Sequence, residues 1–186
     1  MTPVQKRRLV LSLPILIAVA VGGGFWAMLS GMREGRFDPR AIETPATKRR
    51  MPEFNLPGLM PDEPHLSHAI LATRSKPVLI NFFASWCIPC ITELPELQSL
   101  SHEVTIWGIA YKDRPGNARA LVLRNNKPYE MTAQDVDGNF GIQMGINGVP
   151  ESFLVMPDGR IVWHDPAPIT AETIRKVIRP LLKAAP

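Results

Sequence analysis

The chain has 186 residues, 45% of them hydrophobic and 20% charged, with 21 Lys+Arg against 17 Asp+Glu and only two cysteines. That length allows one domain with a real core plus an extra segment, because domains cluster near ~100–150 residues. The formal net charge of +4 is largely N-terminal, since without Lys6, Arg7 and Arg8 the chain is close to neutral; neither the balance nor any basic stripe points to nucleic acid, and no such partner is expected.

The extra segment comes first. Residues 9–29, LVLSLPILIAVAVGGGFWAML, form an apolar stretch broken notably only by Ser12 and Pro14. A helix over this stretch, at ~1.5 Å per residue, reaches about 31 Å, the thickness of a bilayer's hydrocarbon layer. By the positive-inside rule the basic residues ahead of it keep 1–8 in the cytoplasm and put the rest of the chain outside. Ala18-Val19-Ala20 also fits a signal-peptidase site, but the apolar run through Leu29 is longer than a usual signal core and favours an uncleaved transmembrane anchor. Both readings place the folded domain outside the cytoplasm. From Gly31 to Pro64 the sequence is polar and proline-rich and carries Lys48-Arg49-Arg50, and its first part, residues 30–51, reads as a tether. The folded domain is expected over 52–186.

Within it, a short strand is expected around 52–56 and a short helix or turn over Leu66–Thr73, LSHAILAT. Val78–Ala84 is an apolar strand. Trp86-Cys87-Ile88-Pro89-Cys90 comes next, and then a helical stretch over 91–100 with Leu94, Leu97 and Leu100 on one face. Pro95 removes a helical hydrogen bond and is expected to kink it. Val104–Ala110 reads as a second buried strand, which makes a parallel βαβ unit. Pro115 opens a helix ending near Asn125-Asn126, 128–132 reads as a short strand, and Asp137-Gly138 leads into a short helix through Met144. Ser152–Met156 and Arg160–His164 form a hairpin around Pro157-Asp158-Gly159. The last helix, Thr170–Ala184, carries Ile174, Val177, Ile178, Leu181 and Leu182 on one face, with Thr170 as N-cap and a bend at Pro180. This order predicts an α/β fold with a central mixed sheet flanked by helices on both faces.

The only cysteines, Cys87 and Cys90, are two residues apart between a strand and a helix. That setting puts Cys87 at a helix N-terminus, where unpaired N–H groups and the dipole favour thiolate. A purely structural bridge this short would restrict little chain, and a zinc site would need two further ligands that the scattered histidines do not supply. Redox chemistry is the reading that remains: Cys87 attacks a partner disulfide and Cys90 resolves the mixed disulfide. Pro89 removes a backbone donor between them and weakly favours a reductant. Glu93, three residues after Cys90, stands near one helical turn away, and a negative charge there would disfavour thiolate.

The chain resembles thioredoxin in five features: the strand ending Phe83-Ala84-Ser85-Trp86, the CxxC, Pro95 five residues after the second cysteine, Gly148-Val149-Pro150 ahead of a strand, and the closing hairpin and helix. The resemblance implies a thioredoxin fold and a cis Val149-Pro150 bond opposite the cysteines, with Trp86, Val149 and Pro150 contacting an extended substrate. It also brings Glu151 toward the cysteine pair. Where thioredoxins proper carry a buried aspartate six residues before the first cysteine, this chain has Asn81, so either Glu93 or Glu151 takes the proton-relay role or the reaction goes without it.

More narrowly, the chain resembles the membrane-tethered CcmG/DsbE group of cytochrome c maturation, within the broader TlpA/ResA group. The stretches that carry this are 54–59 (FNLPGL), 76–81 (KPVLIN), Trp86 through Glu93, 108–113 (GIAYKD) and 145–154 (GINGVPESFL). The resemblance implies a thiol:disulfide oxidoreductase in the inner membrane, facing the periplasm. It would reduce the haem-attachment CxxCH of apocytochrome c, directly or through a maturation partner holding it, and be re-reduced by a membrane donor of the DsbD/CcdA type. Ile88-Pro89 and Pro95 are nearer the broader group and leave a general periplasmic reductase as the alternative. An oxidant or isomerase would want a cation before the second cysteine, and a peroxidase a flanking Thr and nearby Arg. A copper carrier would need His164 or Met144 to complete its site. No metal and no cofactor other than the cysteine pair is expected, and haem is not expected because the chain has no CxxCH.

Overall fold

The computed structural model describes residues 14, 16–27, 30, 49–125 and 127–184. The chain divides into two units, residues 1–43 and 44–186. In the first, residues 16–27 are helical, with Leu16, Ile17, Val19, Val21, Phe25 and Trp26 exposed. Among the described residues no helix is long and apolar enough to cross a membrane. The expected cytoplasmic residues 1–8, positions 9–13, 15, 28 and 29 of the expected span, and 31–48 of the expected tether lie outside the described residues.

The second unit is built on strand β3 (Val78–Phe83), whose six residues are all buried. A run without polar alternation needs cover on both faces, and helices packed on the two sides of a sheet supply it. Its strand order is β5-β4-β3-β6-β7, where β4 is Thr105–Tyr111, β5 Met131–Asp135, β6 Glu151–Val155 and β7 Ile161–Asp165. The pairs β3–β4 and β4–β5 are parallel; β3–β6 and β6–β7 are antiparallel. A two-stranded sheet of β1 (Asn55–Leu56) and β2 (Leu66–Ser67) lies outside this order. The expected mixed sheet and thioredoxin-like fold are therefore present.

Side chains alternate across β3 and sort the core into two clusters. Leu79 and Phe83 pack with Leu94, Leu97 and Leu100 of α2 (Ile88–Leu100), Leu121 of α3 (Pro115–Arg124), and Ile174 and Ile178 of the last helix. Ile80 and Phe82 pack on the other face with Leu71 of α1 (His68–Ala72) and with Phe140 and Met144 of α4 (Asn139–Met144). Asn81 has the parity of Leu79 and Phe83, so it points to the α2 side. The cysteines belong to that side as well.

Three local expectations differ from what is seen, and one helix carries its expected internal proline. The stretch read as a helix or turn over 66–73 splits into β2 and α1, because Leu66 and Ser67 pair with Leu56 and Asn55. The short strand expected at 128–132 begins instead at Met131; Tyr129 is drawn into the core, and pairing with β4 starts opposite Trp107. Helix α2 continues through Pro95 to Leu100, and Ile91, whose carbonyl loses its helical donor there, is 40% exposed and open to water. The last helix, α5, runs Ala171–Thr173, widens into a π-helical stretch Ile174–Ile178, and ends as Arg179–Ala184. That widened stretch lies just ahead of Pro180, whose ring would clash with the carbonyl four residues back in a regular helix. Thr170 caps α5 as expected, accepting from Thr173 N at 3.1 Å.

Candidate active site

Helix α2 starts one residue after Cys87, which is its N-cap, and carries Pro89 in its first turn. Proline is tolerated there because the first N–H groups of a helix have no partner in any case. The Cys87 sulfur takes the place usually held by a serine or threonine oxygen and accepts from Cys90 N at 3.1 Å. The two cysteines form a disulfide, with their Cα atoms 5.3 Å apart. Cys87 is 4% exposed and Cys90 1%. The difference has the expected sign, although both cysteines are buried. Trp86 and Ile88, the chain neighbours of Cys87, and Ile91, which follows Cys90, are exposed by 59%, 77% and 40%. Exposed apolar side chains thus flank both cysteines along the chain.

The loop ahead of α2 is held from β4. Asp113, 7% exposed, accepts from both Ser85 N and Ser85 Oγ, and from Arg114 N at 2.7 Å. Trp86 Nε1 donates to Lys112 O at 3.3 Å. Asp113 was not singled out from sequence; the available signal was an acid directly after an apolar strand and ahead of a proline-opened helix. Opposite the cysteines, the Val149–Pro150 bond is cis, and Val149 O lies 3.4 Å from Cys87 Sγ.

Glu93 is buried, because α2 turns Cys90, Glu93, Leu94, Leu97 and Leu100 inward as one stripe. Its carboxylate accepts from Asn81 Nδ2 at 3.0 Å and from Ile169 N at 2.7 Å. Asn81 Nδ2 also donates to Ser152 Oγ at 3.0 Å, and Tyr129 OH donates to Asn81 Oδ1 at 2.8 Å. Burial pushes the Glu93 carboxyl up to about 7, opposed by the donors Ile169 N and Asn81 and reinforced by the charge of Asp165. Burial, and then the Glu93 charge, hold Tyr129 well above the ordinary phenol range. Cys90 and Glu93, one turn apart on a helix, have Cβ atoms roughly 5–6 Å apart. A buried acid poised near neutrality therefore stands beside the inner cysteine.

Glu151, also buried, is engaged elsewhere. Its Oε1 accepts from Asn147 N at 2.7 Å and Gly148 N at 3.2 Å, and its Oε2 lies 2.7 Å from His164 Nε2. His164 in turn stacks on Phe153 at 4.2 Å between ring centroids. These bonds fasten the loop that carries Val149 and Pro150, so Glu151 touches the geometry of the site through backbone. Gly145, at φ +77°, ends α4 in the left-handed conformation and starts this loop. Of the two residues considered for completing a copper site, Met144 lies in the core cluster on the other face of the sheet and His164 faces Glu151. Among the described residues no group of three or more His, Cys, Asp or Glu is placed to hold a metal.

This arrangement can carry dithiol–disulfide exchange. In such an exchange a thiolate at Cys87 would displace one sulfur of a partner disulfide, and Cys90 would then attack Cys87 Sγ and release the partner's second sulfur. Two electrons pass to the partner, and the chain is left in the disulfide form seen here.

Known proteins agree with this chemistry. The chain matches the AhpC/TSA family over residues 47–164. It is 34% identical over 172 residues to the thiol:disulfide interchange protein HelX of Rhodobacter capsulatus, covering 91% of this chain and 93% of that one. It is 31% identical over 177 residues to the thiol:disulfide interchange protein DsbE of Escherichia coli K12, covering 94% of each. Among solved structures, a thiol-disulfide oxidoreductase from Bacteroides fragilis superposes with a TM-score of 0.61 at 25% identity, over 72% of this chain and 100% of the other. A CxxC disulfide in a thioredoxin-like sheet and relatives matched over nearly their whole length lead to one conclusion: the chain belongs to the AhpC/TSA family and is a thiol:disulfide oxidoreductase of the DsbE/HelX kind.

Proposed function

We propose that the protein is a membrane-tethered reductase that acts outside the cytoplasm on the haem-attachment cysteines of apocytochrome c, directly or through a carrier of that CxxCH segment. The observation that carries the direction of the reaction is Glu93, buried one turn from Cys90 with its carboxyl pushed up to about 7. A strong oxidant of this fold is one whose reduced thiolate is stabilised. A buried acid that becomes anionic near neutral pH does the opposite, since it raises the cost of a thiolate beside it and makes the reduced pair a better donor.

Glu93 also supplies the proton acceptor for the second half of the exchange. After Cys87 has formed the mixed disulfide, the Cys90 thiol gives its proton to the Glu93 carboxylate and attacks Cys87 Sγ. The released partner thiolate takes a proton from solvent. Asn81 cannot titrate, so the acid on α2 takes the relay role. Trp86, Val149 and Pro150 are the surfaces on which the partner rests, with the Val149 carbonyl, 3.4 Å from Cys87 Sγ, available to pair with an extended chain. Re-reduction requires a dithiol donor at the membrane, of the DsbD/CcdA type.

The membrane attachment rests on the apolar stretch 9–29 behind Lys6-Arg7-Arg8, and on the exposed apolar side chains of helical residues 16–27. The thiol:disulfide interchange proteins DsbE and HelX are matched with 91–94% of this chain covered, which supports the exchange reaction on which this reading rests.

The deciding experiment is trapping. In a Cys90→Ala variant the mixed disulfide on Cys87 persists, and its partner is identified by mass spectrometry. An apocytochrome or the protein that carries it supports the proposal; a broad set of unrelated proteins establishes a general reductase instead. A redox titration giving a potential as oxidising as the ~−120 mV of a strong periplasmic oxidant would end the reductant reading altogether.

A further inference from the structure

We propose that Tyr129 is a positioning residue for Glu93: its hydroxyl, bonded to Asn81 Oδ1, holds the Asn81 amide with its N–H groups turned toward Glu93 and Ser152. The bearing of this on disulfide exchange rests on the role given to Glu93 above.

The two ends of an asparagine amide have nearly the same shape and opposite hydrogen-bonding character. Asn81 is fully buried in β3, and three groups meet its side chain: Glu93, Ser152 and Tyr129. Ser152 hydroxyl serves as donor or acceptor and is content with either end. An ionised Glu93 demands the NH2 end, but a protonated Glu93 could donate to the oxygen instead. If the amide turned to meet it, Tyr129 would accept from the NH2 group and its own buried O–H would lose its acceptor, because among the described residues Asn81 Oδ1 is the acceptor its hydroxyl reaches. An unmade buried hydrogen bond is costly. The tyrosine therefore keeps the donor end on Glu93 in both protonation states and so favours the carboxylate.

The surrounding structure is shaped to hold the ring there. Gly108 of β4 is the register partner of Asn81, and a Cβ at Gly108 would lie 2.8 Å from Tyr129 Cγ. Only glycine admits the ring. Phe83 stacks on it at 5.1 Å with an interplanar angle of 17°, and the next residue is fixed by Glu130 N donating to Ile106 O at 2.8 Å. The titratable groups that face Glu93 are Tyr129 itself, Cys90 on its own helix, and Asp165 from β7, whose charge opposes ionisation. Of these, the tyrosine acts through the asparagine.

The test compares Tyr129→Phe, which removes one oxygen and leaves the ring, with the unaltered full chain in detergent. The disulfide is kept oxidised, so that no thiol titrates, and the Glu93 side-chain carboxyl carbon is followed by NMR against pH. The midpoint is expected to rise from about 7 by about one pH unit, the worth of the one hydrogen bond that the protonated acid gains once the amide is free to turn and accept from it. An unchanged or lowered midpoint overturns the proposal. The pH profile of exchange with a small disulfide is then measured in Tyr129→Phe, in Glu93→Gln and in the double variant. A profile that moves in Tyr129→Phe, with no added effect in the double variant, supports the path through Glu93. A double variant displaced from Glu93→Gln alone shows that Tyr129 acts by another route and overturns it. If Glu93→Gln itself leaves the profile unchanged while the Tyr129→Phe carboxyl midpoint has moved, the proton role of Glu93 fails and the positioning by Tyr129 stands.

Discussion

Glu93→Gln separates the charge of the buried acid from its shape, and its signature is a stability difference that depends on pH. The folded protein holds a proton on Glu93 up to about 7, whereas the unfolded chain releases it near 4.5. Between those values unfolding releases a proton from this group, so the Glu93 contribution to stability falls as pH rises through this window and is level on either side. The full span corresponds to about 3 kcal/mol at ~1.36 kcal/mol per pH unit. Glutamine cannot titrate and lacks this term, while every other carboxylate is common to both proteins and cancels in the difference. Any cost of placing an amide where Asn81 and Ile169 N both donate is independent of pH and shifts the whole curve without tilting it. The assay is urea denaturation of the oxidised full chain in mild detergent at closely spaced pH values from 4 to 8. The difference, Glu93→Gln minus the unaltered protein, is expected to grow by about 3 kcal/mol in favour of the variant across the window. A flat difference, or one that declines with rising pH, refutes the argument that burial controls this carboxyl.

Two further substitutions test the loops that frame the disulfide. Glu151→Ala leaves Asn147 N, Gly148 N and His164 without their carboxylate and is expected to cost about 3 kcal/mol in thermal or urea unfolding, with slower exchange because the Val149 loop is no longer fastened. Asp113→Ala strips the acceptor from Ser85 N, Ser85 Oγ and Arg114 N; a loss of about 2 kcal/mol is expected, together with faster hydrogen exchange at Ser85 and Trp86, and unaltered protection there would show that the carboxylate does not hold this loop.

Much of this protein is decided by pattern. The apolar run at β3 has no polar alternation and can only be a strand covered on both faces, and the cysteines sit at the start of the next helix because a short turn and Pro89 leave them nowhere else. The hairpin of β6 and β7 and the N-cap at Thr170 were legible for the same reason, since each depends on residues near in sequence. Even the burial of Glu93 was within reach: the stripe of Leu94, Leu97 and Leu100, continued back one turn, falls on Glu93 and Cys90. What the chain order could not supply were the partners. Asn81, Tyr129 and Ser152 are far apart in sequence and meet only because β3 lies between β4 and β6. Asp113 reaches Ser85 only because β3 and β4 are parallel and end side by side. The two glutamates looked alike as acids near the cysteine pair, and tertiary structure gave them different work. Glu93, in the helix stripe, is desolvated beside Cys90, while Glu151, at the start of β6, spends its carboxylate on backbone N–H groups and His164. Local sequence sets which residues are helical or extended, but the proton affinity of a buried acid is set by what packs over it, and only the folded sheet decides that.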